Sequence, residues 1–229
     1  MKRGVVFFSL LSLFFRCSTC KIVNSGRFEN DPIVVNFDSL CNNIHNSYEC
    51  AKKIEKHQLT NFSHLIKRNN DNLILTIENN ADVIFIDKEF DDGVIRYSFR
   101  DYIKEINSYI VHIQYFEGNA YCLINKNSGE TIIIPGLLKI SPDKSRLVSY
   151  NVDLVAEYTV NGFVIYRLTN TSFIKEFELI IEIDEWGPSN AEWIDNNQIE
   201  FEKTVLNDTS EIVAGKVIYE FKGKWQIKE

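Results

Sequence analysis

The chain has 229 residues, of which 45% are hydrophobic and 25% charged, and its formal net charge is −7. This length is enough for one domain with a sizeable core, and the small numbers of glycine (10) and proline (4) exclude a low-complexity or broadly disordered chain. Because an acidic protein without a basic stripe repels phosphate backbones, nucleic acid is not an expected partner.

Residues 1–20 resemble a secretory signal. Lys2 and Arg3 form a positive start, and a mostly apolar run of 11 uncharged residues follows from Val5 to Phe15. A helix that spans a bilayer needs ~20 apolar residues, so this run is too short to be one. We therefore expect an exported protein that is periplasmic, envelope-associated or secreted.

Cys17-Ser-Thr-Cys20 resembles a bacterial lipoprotein cleavage box, although Cys17 stands where that pattern has leucine. The resemblance makes Cys20 a candidate for lipidation, and such an anchor is the only membrane contact that we expect.

Three further cysteines, Cys41, Cys50 and Cys122, allow one disulfide in an oxidising compartment. Cys41 and Cys50 lie nine residues apart, which places them on opposite faces of a continuous helix. They can pair only if the helix begins between them.

Residues 21–38 are predicted as a tether, and residues 39–72 as a helical segment followed by a polar loop. Asn46 and Glu49 form a capping-box pattern, and Ala51 and Ile54 fall on one face of the helix that follows. The histidines and cysteines of the mature chain lack the spacing of metal ligands, so we expect neither a metal nor a cofactor.

Residues 73–229 are predicted as an antiparallel β-domain made of consecutive hairpins. Phe177 and Leu179 alternate with Glu176 and Glu178, which is the period of a half-buried strand. The run Tyr109–Phe116 is apolar on both faces, which predicts a central strand.

Two segments, Tyr121–Glu130 and Ile140–Val148, resemble a β-propeller blade. Such blades carry a strand that ends in a polar turn with glycine, then a further strand, then a turn such as Ser141-Pro-Asp143 that opens the next blade. A blade needs ~40 to 45 residues, so residues 73–229 hold fewer than four full blades. The resemblance implies a mainly β fold, an antiparallel meander that is propeller-like, partial or of about four blades, with an N-terminal helix. A β-sandwich with similar turns is the alternative.

The sequence contains no nucleophile elbow and no glycine-rich phosphate loop, and it predicts no catalytic residue. Glu182 and Asp184, or Asp91 and Asp92, could supply the two carboxylates of a glycosidase, but acids that alternate with core residues are typical of a solvated strand face. Our main hypothesis is an exported, non-enzymatic β-rich protein that binds an envelope or extracellular macromolecule, either a protein or a glycan. The alternative is an exported carboxylate-dependent glycoside hydrolase.

Four aromatic residues near turns or strand ends are candidate contacts for a partner: Trp186, Trp193, Trp225 and Tyr166. At such positions a ring can stack on a sugar or anchor a protein partner. The alternative is that each ring packs into the core.

Overall fold

The computed structural model describes residues 37–136, 138–182, 185–206 and 212–228. The predicted signal, Cys20 and all but the end of the tether lie outside these residues. In the part of the chain that the structure describes, no helix is long and apolar enough to cross a membrane.

Sixteen described strands form four antiparallel sheets that follow one another along the chain. The first sheet contains β1 (Ile66–Asn69), β2 (Asn72–Leu75) and β3 (Val83–Ile86). The second contains β4 (Lys88–Phe90), β5 (Gly93–Ile103), β6 (Ser108–Tyr115), β7 (Asn119–Asn125) and β8 (Thr131–Ile134), with a 3-10 turn at Lys104–Ile106. The third contains β9 (Leu138–Ile140), β10 (Arg146–Asn151), β11 (Gly162–Leu168) and β12 (Phe173–Ile180). The fourth contains β13 (Gly187–Asp195), β14 (Gln198–Thr204), β15 (Ile212–Phe221) and β16 (Lys224–Lys228).

In every sheet each strand pairs with its neighbour in the chain, so each sheet is a meander. This confirms the predicted fold class, a mainly β, propeller-like meander of antiparallel hairpins. Four consecutive sheets also distinguish the fold from the two-sheet sandwich that was the alternative. The run Tyr109–Phe116 contributes β6, the middle strand of the second sheet, as its two apolar faces predicted.

Three hydrophobic clusters lie between consecutive sheets. Strand β6 contributes to two of them, because Tyr109 and Val111 face the first sheet while Ile110 faces the third. Strand β11 does the same between the second and fourth sheets, with Val164 on one face and Phe163 on the other. The two middle sheets are therefore buried on both faces, and none of the three clusters joins the first sheet to the fourth.

Two helices precede the sheets, α1 (Asp38–Cys41) and α2 (Ser47–Asn61). The side chain of Asn46 accepts hydrogen bonds from the backbone N–H groups of Tyr48 (2.9 Å) and Glu49 (3.3 Å), which confirms the predicted N-terminus of α2. Cys41 and Cys50 form a disulfide with a Cα–Cα distance of 5.3 Å. The break between α1 and α2 provides the geometry that the pairing requires.

The predicted polar loop is wrong at residues 66–69, which form β1. Ile66 is buried in the first cluster, and Arg68 makes a two-pronged ion pair with Glu55 of α2 at 2.8 and 2.7 Å. The Glu55 carboxylate also accepts the backbone N–H of Phe99 at 2.7 Å, and Arg68 lies 3.6 Å from Asp87. These contacts stabilise a strand in a polar stretch of sequence and attach α2 to the first two sheets.

Candidate functional site

The three tryptophans proposed from the sequence as partner contacts pack against the third cluster, between the third and fourth sheets. Trp225 is 7% exposed and its indole N–H donates to Glu176 at 3.1 Å. The indole N–H of Trp193 donates to the carbonyl of Lys139 at 3.0 Å, and the ring of Trp186 stacks on Phe201. This placement gives the three rings a role in packing, the alternative that the sequence left open.

An aromatic ridge lies instead at the turn between β6 and β7, and it consists of Tyr115 and Phe116. Phe116 is 74% exposed and Tyr115 is also exposed. Phe116 has no polar atom that could gain from water, so the ridge presents apolar surface to solvent. Tyr115 lines two depressions, one on each side of the ridge.

The first depression, the wide groove, has a volume of about 640 Å³. Its walls come from the β4–β5 turn, from the first turn of α2 and from the ridge. Asp91 and Asp92 lie in the β4–β5 turn and are preceded by Phe90, which is 51% exposed. Glu89 adds a third carboxylate, which pairs with Arg96 at 3.1 Å. The wide groove therefore combines exposed aromatic surface with a net negative charge.

Gln114 lines the wide groove and is only 6% exposed. Its side-chain N–H donates to the hydroxyl of Ser47, the first residue of α2, at 3.4 Å. Its Oε1 is one of three buried side-chain atoms without a hydrogen-bond partner among the described residues, together with Arg100 Nε and His112 Nε2. A buried acceptor without a donor costs roughly 1–3 kcal/mol, and Gln114 Oε1 carries this cost inside the protein and does not face the open groove.

His112 lies two residues before Gln114 on β6, and its ring stacks on Tyr121 with centroids 4.8 Å apart. Burial, together with the nearby charge of Arg100, lowers the pKa of His112 to about 4. The imidazole is therefore neutral at physiological pH and adds no positive charge beside the wide groove.

The second depression, the narrow groove, lies between the second and third sheets and has a volume of about 210 Å³. Ile133, Tyr158 and Val160 form exposed parts of its wall, and Tyr166 is a buried part. Of the four proposed contacts, Tyr166 lines the narrow groove, and the three tryptophans line neither of these two grooves. Sites for drug-sized ligands measure ~300–1,000 Å³, so this groove fits one or two side chains of a partner better than a cofactor.

The wall of the narrow groove is shaped by the Asp153 loop, residues 152–161. The Asp153 carboxylate accepts hydrogen bonds from the backbone N–H groups of five residues at 2.9 to 3.4 Å and from the Thr159 hydroxyl: Val155, Ala156, Glu157, Tyr158 and Thr159. Although partial burial acts to raise it, these donors, with Thr159 first, lower the pKa of Asp153 to about 2. The β6–β7 turn packs on this loop at Gly118, whose φ is +86° and where a Cβ would lie 2.7 Å from the Tyr158 carbonyl oxygen. The ridge and the loop are therefore held together.

The two pairs of carboxylates considered for hydrolysis lie in different parts of the protein. Asp91 and Asp92 both line the wide groove, whereas Glu182 is exposed beyond the end of β12 and Asp184 lies outside the described residues. Glu176 is bonded to Arg146 at 2.7 Å, to Arg167 at 3.2 Å and to the indole of Trp225, which makes it a structural group. Within the described ranges, no group of three or more His, Cys, Asp or Glu side chains could hold a metal ion.

Cys122 is a free and fully buried thiol in the first cluster. Burial raises the pKa of this thiol to about 12, so it stays protonated and is inert as a nucleophile.

The ridge was not predicted from the sequence. Phe116 and Phe90 each stand directly before a turn signal, Glu117-Gly118-Asn119 and Asp91-Asp-Gly93. An apolar ring at that position was the available signal, because a residue at the end of a strand has few neighbours that could cover it.

No protein-family model and no curated protein matches the chain. Among solved structures, the N-terminal domain of Nup159 is similar over 72% of this chain and 47% of its own length, with 10% identity and a TM-score of 0.32. A chain of the S. cerevisiae complex of a Dbp5 variant with Nup159, a Gle1 variant, IP6 and ADP is similar over 72% and 46%, with 11% identity and a TM-score of 0.33. The chain thus spans less than half the length of these two matches, which are β-propeller domains. Likeness at this level adds nothing to what the strand topology shows.

Proposed function

We propose that the chain is an exported, non-enzymatic β-rich protein that binds an envelope or extracellular protein through the aromatic ridge and its two grooves. The single observation that carries the proposal is the ridge itself, where Phe116 and the neighbouring Phe90 expose more than half of their surface beside open grooves. Buried aromatic anchors at the centre of an interface supply most of the binding energy in many protein complexes.

Two further observations support export. The sequence begins with the positive and apolar segments of a secretory signal, and Cys41 and Cys50 form a disulfide. Disulfides persist in oxidising compartments and are rare in a reducing cytosol.

The test is affinity capture from an envelope and extracellular extract with three purified proteins. These are the wild type, the double variant Phe90→Ala/Phe116→Ala, and the control Phe221→Ala, which removes from the fourth sheet a ring as exposed as that of Phe90. We expect wild type and control to recover the same partner and the double variant to lose it. Equal recovery by all three proteins, or no partner with any, would contradict the proposal.

A second candidate is an exported glycoside hydrolase, because Asp91 and Asp92 both line a groove large enough for a sugar ring. The two residues share one turn, whereas the carboxylates of a glycosidase flank the scissile bond, and this difference makes the hydrolase the second choice. Hydrolysis of a polysaccharide by the wild type that is abolished in both Asp91→Asn and Asp92→Asn would establish it. Absence of hydrolysis across a broad glycan panel would exclude the hydrolase.

A further inference from the structure

We infer that the free edge of the first sheet pairs with the same edge of a second copy of this chain. The edge is β3, the last strand of its sheet, and no described strand pairs with its outer side. Two β3 strands that pair in antiparallel fashion, with Phe85 on a two-fold axis, join their sheets into one continuous sheet. The inference does not depend on the proposed partner surface, which consists of the ridge and its grooves.

The backbone of β3 presents hydrogen-bonding groups to this free edge. In an antiparallel pair, the N–H and C=O groups of alternate residues point toward the partner strand, and those of the residues between them point away. Asp87 and Asp71 continue the register of β3 with β2, and the N–H of Asp87 donates to the carbonyl of Asp71 at 2.9 Å. Ile84 and Ile86, in the alternate positions, therefore direct their N–H and C=O groups outward.

The sequence of β3 does not protect this edge. Its four residues, Val-Ile-Phe-Ile, include no charge and no proline, and Ile84 is 54% and Ile86 48% exposed. Natural sheets commonly block an edge strand with lysine. The edge strand β16 of the fourth sheet follows this rule with exposed Lys224 and Lys228, whereas β3 remains open to a further strand.

The exposed side of this segment is complementary to itself. Asp82, Ile84, Ile86 and Lys88 are exposed, and the residues between them are half-buried. With the two-fold axis at Phe85, Ile84 lies opposite Ile86 of the second copy and Asp82 lies opposite Lys88. An axis at Ile84 would place Asp82 opposite Ile86, and an axis at Ile86 would place Lys88 opposite Ile84. Of these three registers, the one centred on Phe85 pairs apolar with apolar residues and acid with base.

Both charged residues are available for this contact. Lys88 takes part in no ion pair within the described residues, and the Asp82 carboxylate accepts the N–H of Ile77 at 3.4 Å without a basic partner in the same part of the chain. Two-fold symmetry gives two Asp82–Lys88 pairs, one at each end of the paired stretch. Because both copies contribute the same edge, the pairing closes at two chains.

The test is sedimentation equilibrium of the purified protein from about 1 µM to about 1 mM, a range that covers the weak association of a small interface. We expect the mean mass to rise with concentration from one chain toward two. Ile84→Lys/Ile86→Lys places like charges opposite each other and should remain monomeric throughout. The matched control Ile180→Lys/Ile194→Lys adds the same charge at two other exposed isoleucines and should associate as the wild type does.

An exchange of charges tests the register. Asp82→Lys alone and Lys88→Asp alone each place like charges opposite each other at both ends, so each should weaken dimerisation roughly tenfold. The double variant Asp82→Lys/Lys88→Asp restores opposite charges and should regain the affinity of the wild type. A wild type that stays monomeric, assembly beyond two chains, undiminished dimerisation of Ile84→Lys/Ile86→Lys, or no recovery in the charge-exchange variant would each overturn the inference.

Discussion

Two groups of aromatic residues have opposite roles in this protein. The three tryptophans pack in the third cluster, where the indole N–H groups of Trp193 and Trp225 each donate a hydrogen bond. Phe90 and Phe116 stand on the end of the second sheet with most of their surface in water. The identity of an aromatic residue therefore predicts its role less well than its position relative to the end of a strand does.

The largest loss of stability is expected for Trp225→Ala, which tests whether the tryptophans belong to the core. The change removes a buried ring that contacts Trp193 with centroids 5.9 Å apart, and it leaves Glu176 with one donor fewer. Because truncation of a buried tryptophan costs ~3–5 kcal/mol, we expect the free energy of unfolding to fall by that amount in a urea titration. Trp225→Phe should recover part of the loss, and a loss below about 1 kcal/mol for the alanine variant would place the ring outside the core.

The next largest loss of stability is expected at Glu55, which attaches α2 to the sheets; the first turn of this helix lines the wide groove. Glu55→Gln removes the closer of the two carboxylates that pair with the largely buried Arg68 and leaves only Asp87, at 3.6 Å. Removing one member of a buried pair costs ~3–5 kcal/mol, and since the amide keeps part of the hydrogen bonding we expect about 3 kcal/mol in the same titration. Glu178→Gln is the matched control, because its ion pair with Lys175 is exposed to solvent and should contribute little to stability.

Much of the fold follows from local sequence patterns, because an alternation of period two and turn residues are visible within a few positions. The capped start of α2 and the central position of β6 were both predictable in this way. The Glu55–Arg68 pair joins residues 13 apart and the bond from Phe99 to Glu55 joins residues 44 apart, so neither leaves a local signature. This is why β1 was assigned to a polar loop.

The candidate site was less predictable for the same reason. The wide groove combines α2, the β4–β5 turn and the β6–β7 turn, and their proximity depends on how the helix and the second sheet pack. Asp91 and Asp92 were recognised as paired carboxylates, but nothing in the local sequence shows that Phe116 and the first turn of α2 line the same groove.

A smaller effect is expected for Asp153→Asn, which tests how the Asp153 loop is held beside the ridge. The neutral amide keeps one acceptor oxygen and replaces the other with an NH2 donor, so part of the hydrogen bonding from five backbone N–H groups is lost at a cost of about 1–2 kcal/mol. Because the folded-state pKa is lowered to about 2, the contribution of Asp153 is fully present above about pH 4 and is lost as the pH falls toward 2. The difference in unfolding free energy between wild type and variant should therefore shrink over this range, and a difference that stays constant would contradict the assignment.

The smallest effect on stability, and the most informative for function, is expected for Phe116→Ala. Since the ring is 74% exposed, its removal should change the free energy of unfolding by no more than about 0.5 kcal/mol. Phe221→Ala, which removes an exposed ring from the fourth sheet, should behave in the same way in the urea titration. The two variants should differ only in partner capture, where Phe116→Ala weakens recovery and Phe221→Ala does not. A stability loss at Phe116 comparable to that of Trp225→Ala would mean that this ring also serves a core, and the distinction between buried and exposed aromatic residues would then no longer indicate where the partner binds.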